Sequence, residues 1–87
     1  MRIIAVFKEN SEQARNVLEW IEQFERRTGK EVEQIDPETL EGEMFVRARD
    51  IVEYPTIMVC SDEDGKTYEM FVGSALPQID TVMAYVI

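Results

Sequence analysis

Few side chains in this sequence are equipped for covalent chemistry. It holds one cysteine, Cys60, and no histidine. A lone cysteine forms no internal disulfide, and behind the apolar run Ile57-Met58-Val59 it reads as a core thiol rather than a reactive one. Ser11 offers a hydroxyl, but activating it needs a general base, and a chain without imidazole lacks the usual one. It reads as a helix cap or a surface residue. The same counts exclude a conventional zinc site. Asp62-Glu63-Asp64-Gly65 has the acids of a calcium loop, but its glycine comes too early and the closing glutamate is missing, so it reads as a turn. Glycine-rich phosphate loops are absent. With 18 acidic residues, two carboxylates can be paired on paper almost anywhere, so no acid–base pair is singled out. What remains is Tyr54-Pro55-Thr56, where a proline opens a buried-looking strand. Proline gives a sheet no N–H and is tolerated only at a strand's first residue, edge or bulge, so its position here needs a reason. No catalytic residue, cofactor or metal is assigned, and the balance favours a binding protein over an enzyme.

The charge narrows the partners. Eighteen acidic against nine basic residues give a formal net charge of −9, which opposes a phosphate backbone and argues against nucleic acid. The acids gather in two runs, Glu31 to Glu43 and Asp50 to Asp64, that contain no Lys or Arg. They read as a solvated acidic surface or, failing that, as a surface for a basic partner. At 87 residues, 45% hydrophobic and 31% charged, the chain is expected to form one domain over residues 1–87. The opening run Arg2 to Phe7 is too short for a signal peptide and passes directly into charged residues; no stretch approaches the roughly 20 apolar residues of a membrane span. The expectation is a cytoplasmic protein, not bound to membrane, with its oligomeric state open.

These residues need a scaffold. Residues 2–7 are mostly β-branched or aromatic and suit a strand covered on both faces. Asn10 or Ser11 is placed to cap a helix running to about Thr28, with Gln13 completing a capping box and Gly29 ending it. Ala14, Val17, Leu18, Ile21 and Phe24 form its apolar stripe. Glu31 to Ile35 reads as a strand near an edge, where glutamates blunt pairing with other chains. Asp36-Pro37 then signals a second helix carrying Leu40, Met44, Phe45 and Ala48, although Gly42 argues for a start nearer Glu43. Ile57 to Cys60 and Thr67 to Val72 form a hairpin about the Asp64-Gly65 turn. Gly73 closes it, and a last helix begins near Ser74, with Pro77 in its first turn and Leu76, Ile79, Val82, Met83 and Val86 on one face. Two β-α-β crossovers imply a parallel pair ahead of the hairpin.

The order β-α-β-α-β-β-α, with Tyr54-Pro55-Thr56 before strand three, the Asp36 step after strand two and Gly73 after strand four, resembles the thioredoxin and glutaredoxin superfamily over essentially the whole chain. The resemblance implies an α/β three-layer sandwich around a central mixed four-stranded sheet. In that family a Cys-x-x-Cys or Cys-x-x-Ser motif occupies the turn into the first helix. Here the turn reads Phe7-Lys8-Glu9-Asn10-Ser11-Glu12-Gln13, which puts Lys8 near the first cysteine position and Ser11 near the second, with no thiol. Thiol–disulfide exchange needs a thiolate, so the departure removes the family's chemistry from its usual place.

The resemblance also implies that Pro55 is cis and exposes the Tyr54 backbone to an extended ligand, with Lys8, Asn10, Ser11, Thr56, Gly73 and Ser74 lining the same groove. In the plainer reading Pro55 only bends the chain into strand three. A second face is offered by Trp20, roughly 40° beyond Phe24 around the first helix. Trp20 either shields the core edge or stands half exposed with Phe24 as an alternative partner face. The expected function is a redox-inactive, thioredoxin-like domain that binds a protein or peptide, with two alternatives. One is a divergent glutaredoxin-like thiol or glutathione-binding protein; the other is a structural or oligomeric subunit.

Overall fold

A computed structural model describes residues 1–86. The elements are β1 (Arg2–Val6), α1 (Ala14–Thr28), β2 (Val32–Ile35), α2 (Leu40–Ala48), β3 (Thr56–Cys60), β4 (Thr67–Val72) and α3 (Ile79–Met83). The strands lie in the order β2-β1-β3-β4. β1 runs parallel to β2, with Ile3 opposite Val32, and antiparallel to β3, with Ile4 opposite Met58. The expected pair of crossovers is corrected here: only α1 links parallel neighbours, because β3 runs opposite to β1.

Strands β1 and β3 are central, so their side chains are buried on both faces, as their unbroken apolar runs require. On one face Ile3, Ala5, Phe7, Ile57 and Val59 pack under α1 and α3. On the other, Ile4, Val6, Met58 and Cys60 pack with Val46 of α2 and Ile51. Three layers result, with the sheet between two separate cores.

Helix α1 does not start at a serine or asparagine cap. Its first residue is Ala14, and Gln13 before it makes no side-chain cap bond. The Ser11 hydroxyl instead donates to the Lys8 carbonyl at 2.7 Å, closing the preceding turn. The buried stripe is Ala14, Val17, Trp20, Ile21 and Phe24, while Leu18, expected in the core, is 46% exposed. The stripe is rotated toward Trp20 because α3 and the segment before it cover that flank. The indole N–H donates to the Pro77 carbonyl at 2.7 Å, and Arg27 pairs with Asp80 at 2.6 Å. Residues 74–78 are non-helical, so the last helix begins at Ile79 rather than near Ser74.

Helix α2 begins at Leu40, not near Glu43, and its cap is Thr39, whose hydroxyl accepts from the Gly42 N–H at 3.0 Å. Asp36 builds the turn ahead of it: its side chain accepts from the Glu38 N–H at 2.9 Å, and its carbonyl accepts from the N–H and hydroxyl of Thr39. Gly42 is required inside the helix, because a Cβ there would sit 1.7 Å from the Asp36 carbonyl oxygen. Leu40 and Met44, expected in the apolar stripe, are 76% and 65% exposed, since the helix turns Gly42 and Val46 inward. At the hairpin, Gly65 adopts a φ of 71°, and a register shift at Val59/Cys60 marks a bulge.

Candidate functional site

The end of β1, the turn into α1 and the approach to β3 meet at a pocket of 210 Å3 lined by Phe7, Lys8, Ser11, Gln13, Tyr54 and Pro55. Each element delivers its part for a local reason. Phe7 continues β1 by donating its N–H to the Ile35 carbonyl at 3.0 Å, which carries Lys8 to the sheet's end. The Ser11-to-Lys8 bond then folds the turn back so that Ser11 and Gln13 face the opening. On the far wall, the Tyr54–Pro55 peptide is cis. The Pro55 carbonyl accepts from the Gly73 N–H at 2.9 Å, pinning the wall to the end of β4.

Tyr54 is half-buried, with its ring against the α2-side core. The Lys8 ammonium stands 5.6 Å from the centre of that ring, within cation–π range. Among the described residues, the N–H and C=O of Tyr54 take no intramolecular hydrogen-bond partner, although each is a strong hydrogen-bonding group. The site thus presents one free backbone donor and acceptor, one cation and one hydroxyl.

The volume decides what can occupy it. It lies below the ~300–1,000 Å3 of ordinary small-molecule sites, and Lys8, Ser11 and Gln13 are all exposed. A segment of chain lying across the opening fits better than a ligand enclosed within it.

Of the residues expected to line the groove, Lys8, Ser11, Tyr54 and Pro55 come together. Asn10 is exposed on the turn and does not line the pocket. Gly73 joins only through its backbone bond to Pro55, and Ser74 is exposed beyond it. Thr56 is corrected: it is fully buried, its hydroxyl donates to the Glu53 carbonyl at 2.8 Å, and it borders a different cavity, on the α2 face. Phe7 and Gln13 were missed. Phe7 reads in sequence only as strand, and Gln13 only as a capping-box residue; neither carries a local sign that the strand ends at a pocket.

The alternative face of Trp20 and Phe24 is also corrected, because Phe24 is fully buried and Trp20 is 7% exposed. The two rings stack with centroids 5.2 Å apart, and the indole N–H is satisfied internally. A buried stacked pair offers a partner no surface. Cys60 is 1% exposed and lies roughly 16 Å from Pro55, at about 3.3 Å of strand per residue. Among the described residues no cluster of His, Cys, Asp or Glu is arranged to hold a metal ion, and no helix is long and apolar enough to cross a membrane.

A mixed four-stranded sheet in this order, with one helix on one face, two on the other and a proline-walled pocket at the end of β1, defines a thioredoxin-like fold. Among solved structures, thioredoxin 1 from the thermophilic eubacterium Thermosipho africanus TCF52B is similar with a TM-score of 0.72 at 16% identity, over 99% of this chain and 90% of that one. A malarial protein is similar with a TM-score of 0.69 at 11% identity, over 97% and 90% of the two chains. No protein-family model and no curated protein matches the sequence.

Proposed function

We propose that this chain is a thioredoxin-like binding domain without thiol redox chemistry, which holds an extended protein or peptide segment against Tyr54 and Pro55. The observation that carries this reading is the free N–H and C=O of Tyr54 beside an open pocket. An extended segment would pair with both groups as a strand pairs with a sheet edge, and its side chains would fall alternately toward the pocket and away from it. Lys8 and Ser11 would supply polar contacts from the opposite wall. Redox inactivity follows from the same wall: it carries an amine and a hydroxyl where thiol exchange needs a thiolate, and Cys60 is sealed in the core. The compartment we assign is the cytoplasm, where an unpaired cysteine stays reduced.

The test is selection of extended peptides from a random display library on the immobilised protein, followed by amide chemical-shift mapping. Shifts concentrated on Lys8, Ser11, Tyr54 and Gly73, and loss of binding in Ser11→Trp, whose indole fills the pocket, support the reading. Peptides that map elsewhere, or that bind Ser11→Trp equally well, overturn it. Disulfide reduction is assayed in parallel on the wild type and Cys60→Ser; turnover in the wild type that Cys60→Ser loses restores the redox alternative. Glutathione that displaces the selected peptides would favour the thiol-binding alternative instead.

A further inference from the structure

The two edges of the sheet are unlike. β2 is four residues long, presents Glu33 and Gln34 to solvent and follows Lys30 and Glu31, which is how natural edges resist pairing. β4 is six residues long, Thr67-Tyr68-Glu69-Met70-Phe71-Val72, and its only charge, Glu69, is folded back. The Glu69 carboxylate accepts from the Tyr85 hydroxyl at 3.2 Å and from the Met70 N–H at 3.2 Å, so it holds one edge donor that an added strand would have to take from it. Among the described residues no strand pairs with β4 on its outer side. Tyr68 and Val72 are 55% and 50% exposed, in the most charge-poor exposed strand of an acidic protein.

Beside the end of β4, on the α2 face, lies a cavity of 100 Å3 walled by Ile51, Val52, Met70 and Val72, with Asp50 and Glu53 also lining it. Val52 is 84% exposed. Neither carboxylate takes part in an ion pair among the described residues. The nearest cation in sequence, Arg49, lies over the Phe45 ring at 3.8 Å. At 100 Å3 the cavity suits a slender aliphatic stem better than a ring system. An apolar slot lined also by two acidic residues outside any ion pair matches a lysine side chain, whose stem is apolar and whose tip is cationic.

We infer that β4 is a second docking edge, which adds an extended basic segment of a partner protein as a fifth strand and seats one of its lysines between Val52, Met70 and Val72, against Asp50 and Glu53. A second copy of this chain is the poorer occupant, since each copy carries a formal net charge of −9. The Pro55 groove opens where β1 meets α1 and this slot lies beside β4 on the α2 face; one segment separates them, with Tyr54 and Pro55 lining the groove and Glu53 and Thr56 the slot, so each is tested with its own peptide.

The probe is a short, capped, fluorescein-labelled peptide of alternating threonine and valine with one central lysine. Its twins carry a central glutamate or a fully N-methylated backbone. The lysine peptide is expected to bind about tenfold more tightly than the glutamate peptide by fluorescence anisotropy. The N-methylated peptide is expected not to bind, and amide exchange in β4 to slow on binding the lysine peptide. In Asp50→Asn/Glu53→Gln, which keeps side-chain shape and whose urea midpoint checks the fold, the preference for lysine is expected to vanish. Equal binding of the lysine and glutamate peptides, no binding by either, a lysine preference that survives the double substitution, or a sedimenting dimer whose β4 amides are already protected would each overturn the inference.

Discussion

Replacing Gly42 with alanine separates two physical arguments that predict opposite signs. Intrinsic helix propensity favours Gly42→Ala by about 1 kcal/mol in a helix interior. The structure opposes it, because the new methyl would stand 1.7 Å from the Asp36 carbonyl oxygen and 2.9 Å from the Thr39 hydroxyl. The first of these is a backbone atom fixed in a turn, so it must retreat by more than an ångström. That retreat breaks the two bonds the Asp36 carbonyl accepts from Thr39, at 3.1 and 2.8 Å, and disturbs the cap bond from Gly42 to Thr39. At about 1 kcal/mol each, three such bonds outweigh the propensity gain, and the expected net loss is about 2 kcal/mol. Crowding of the buried helix face adds to it. Urea denaturation followed by Trp20 fluorescence reads the change, and with a slope of about 1 kcal/mol per molar the midpoint falls by roughly 2 M. Thr39→Ala alone is expected to lose about 1 kcal/mol as a missing cap. The double variant is expected to lose less than the sum, since both substitutions disturb the same carbonyl. A Gly42→Ala midpoint at or above that of the wild type would refute the close-approach argument and leave propensity in charge of this helix.

Other expectations follow from single contacts. Trp20→Phe keeps the stacked ring but deletes the bond to Pro77, and is expected to lower stability by about 1 kcal/mol while speeding amide exchange in residues 79–83. Cys60 is expected to react with a thiol-specific chromogenic disulfide only as fast as the protein opens, so its rate should rise with urea; rapid modification of the native state would contradict its burial. The hydrogen bond and charge of the Arg2 guanidinium hold Glu33 below the usual carboxylate range. A depressed acid contributes stability that is present above its unfolded pKa of about 4.3 and is lost as pH falls through the folded value. Glu33→Gln is therefore expected to lower stability at neutral pH and to flatten its decline below about pH 4.3, by less than about 1 kcal/mol because the pair is exposed. Spectrophotometric titration is expected to bring the Tyr85 phenol, raised by its hydrogen bond to Glu69, back toward about 10 in Glu69→Gln.

The element order was legible because its signals are local. Residues 2–7 and 57–60 are apolar enough to require central strands, Gly29 and Gly65 stop and turn the chain, and Pro55 must stand outside the ladder. What failed to show depends on partners distant in sequence. The face of α1 is chosen by Pro77, which draws Trp20 inward and leaves Leu18 in solvent. The start of α2 is set by Asp36 through its carbonyl, which makes Gly42 a necessity where propensity reads it as a weakness. Within the candidate site, Lys8, Ser11, Tyr54 and Pro55 could be grouped only by the fold resemblance. Thr56 fell out of the group because it already lies within the sheet, fully buried on the α2 face with its hydroxyl bonded to the Glu53 carbonyl, whereas Tyr54 stands ahead of the strand at the pocket.

The sheet is a partition between two cores that share backbone but divide their side chains, with Phe24 beneath α1 on one side and Val46 beneath α2 on the other. Substitutions on opposite sides touch no common neighbour, so their effects should add, whereas pairs within one layer should interact. The division is bridged at one place: the segment from Glu53 to Thr56 lines the pocket at the turn into α1 with Tyr54 and Pro55 and the cavity beside β4 with Glu53 and Thr56, and the Pro55 carbonyl is tied to Gly73 at the end of β4. A disturbance at either surface is therefore expected to reach the other through that segment.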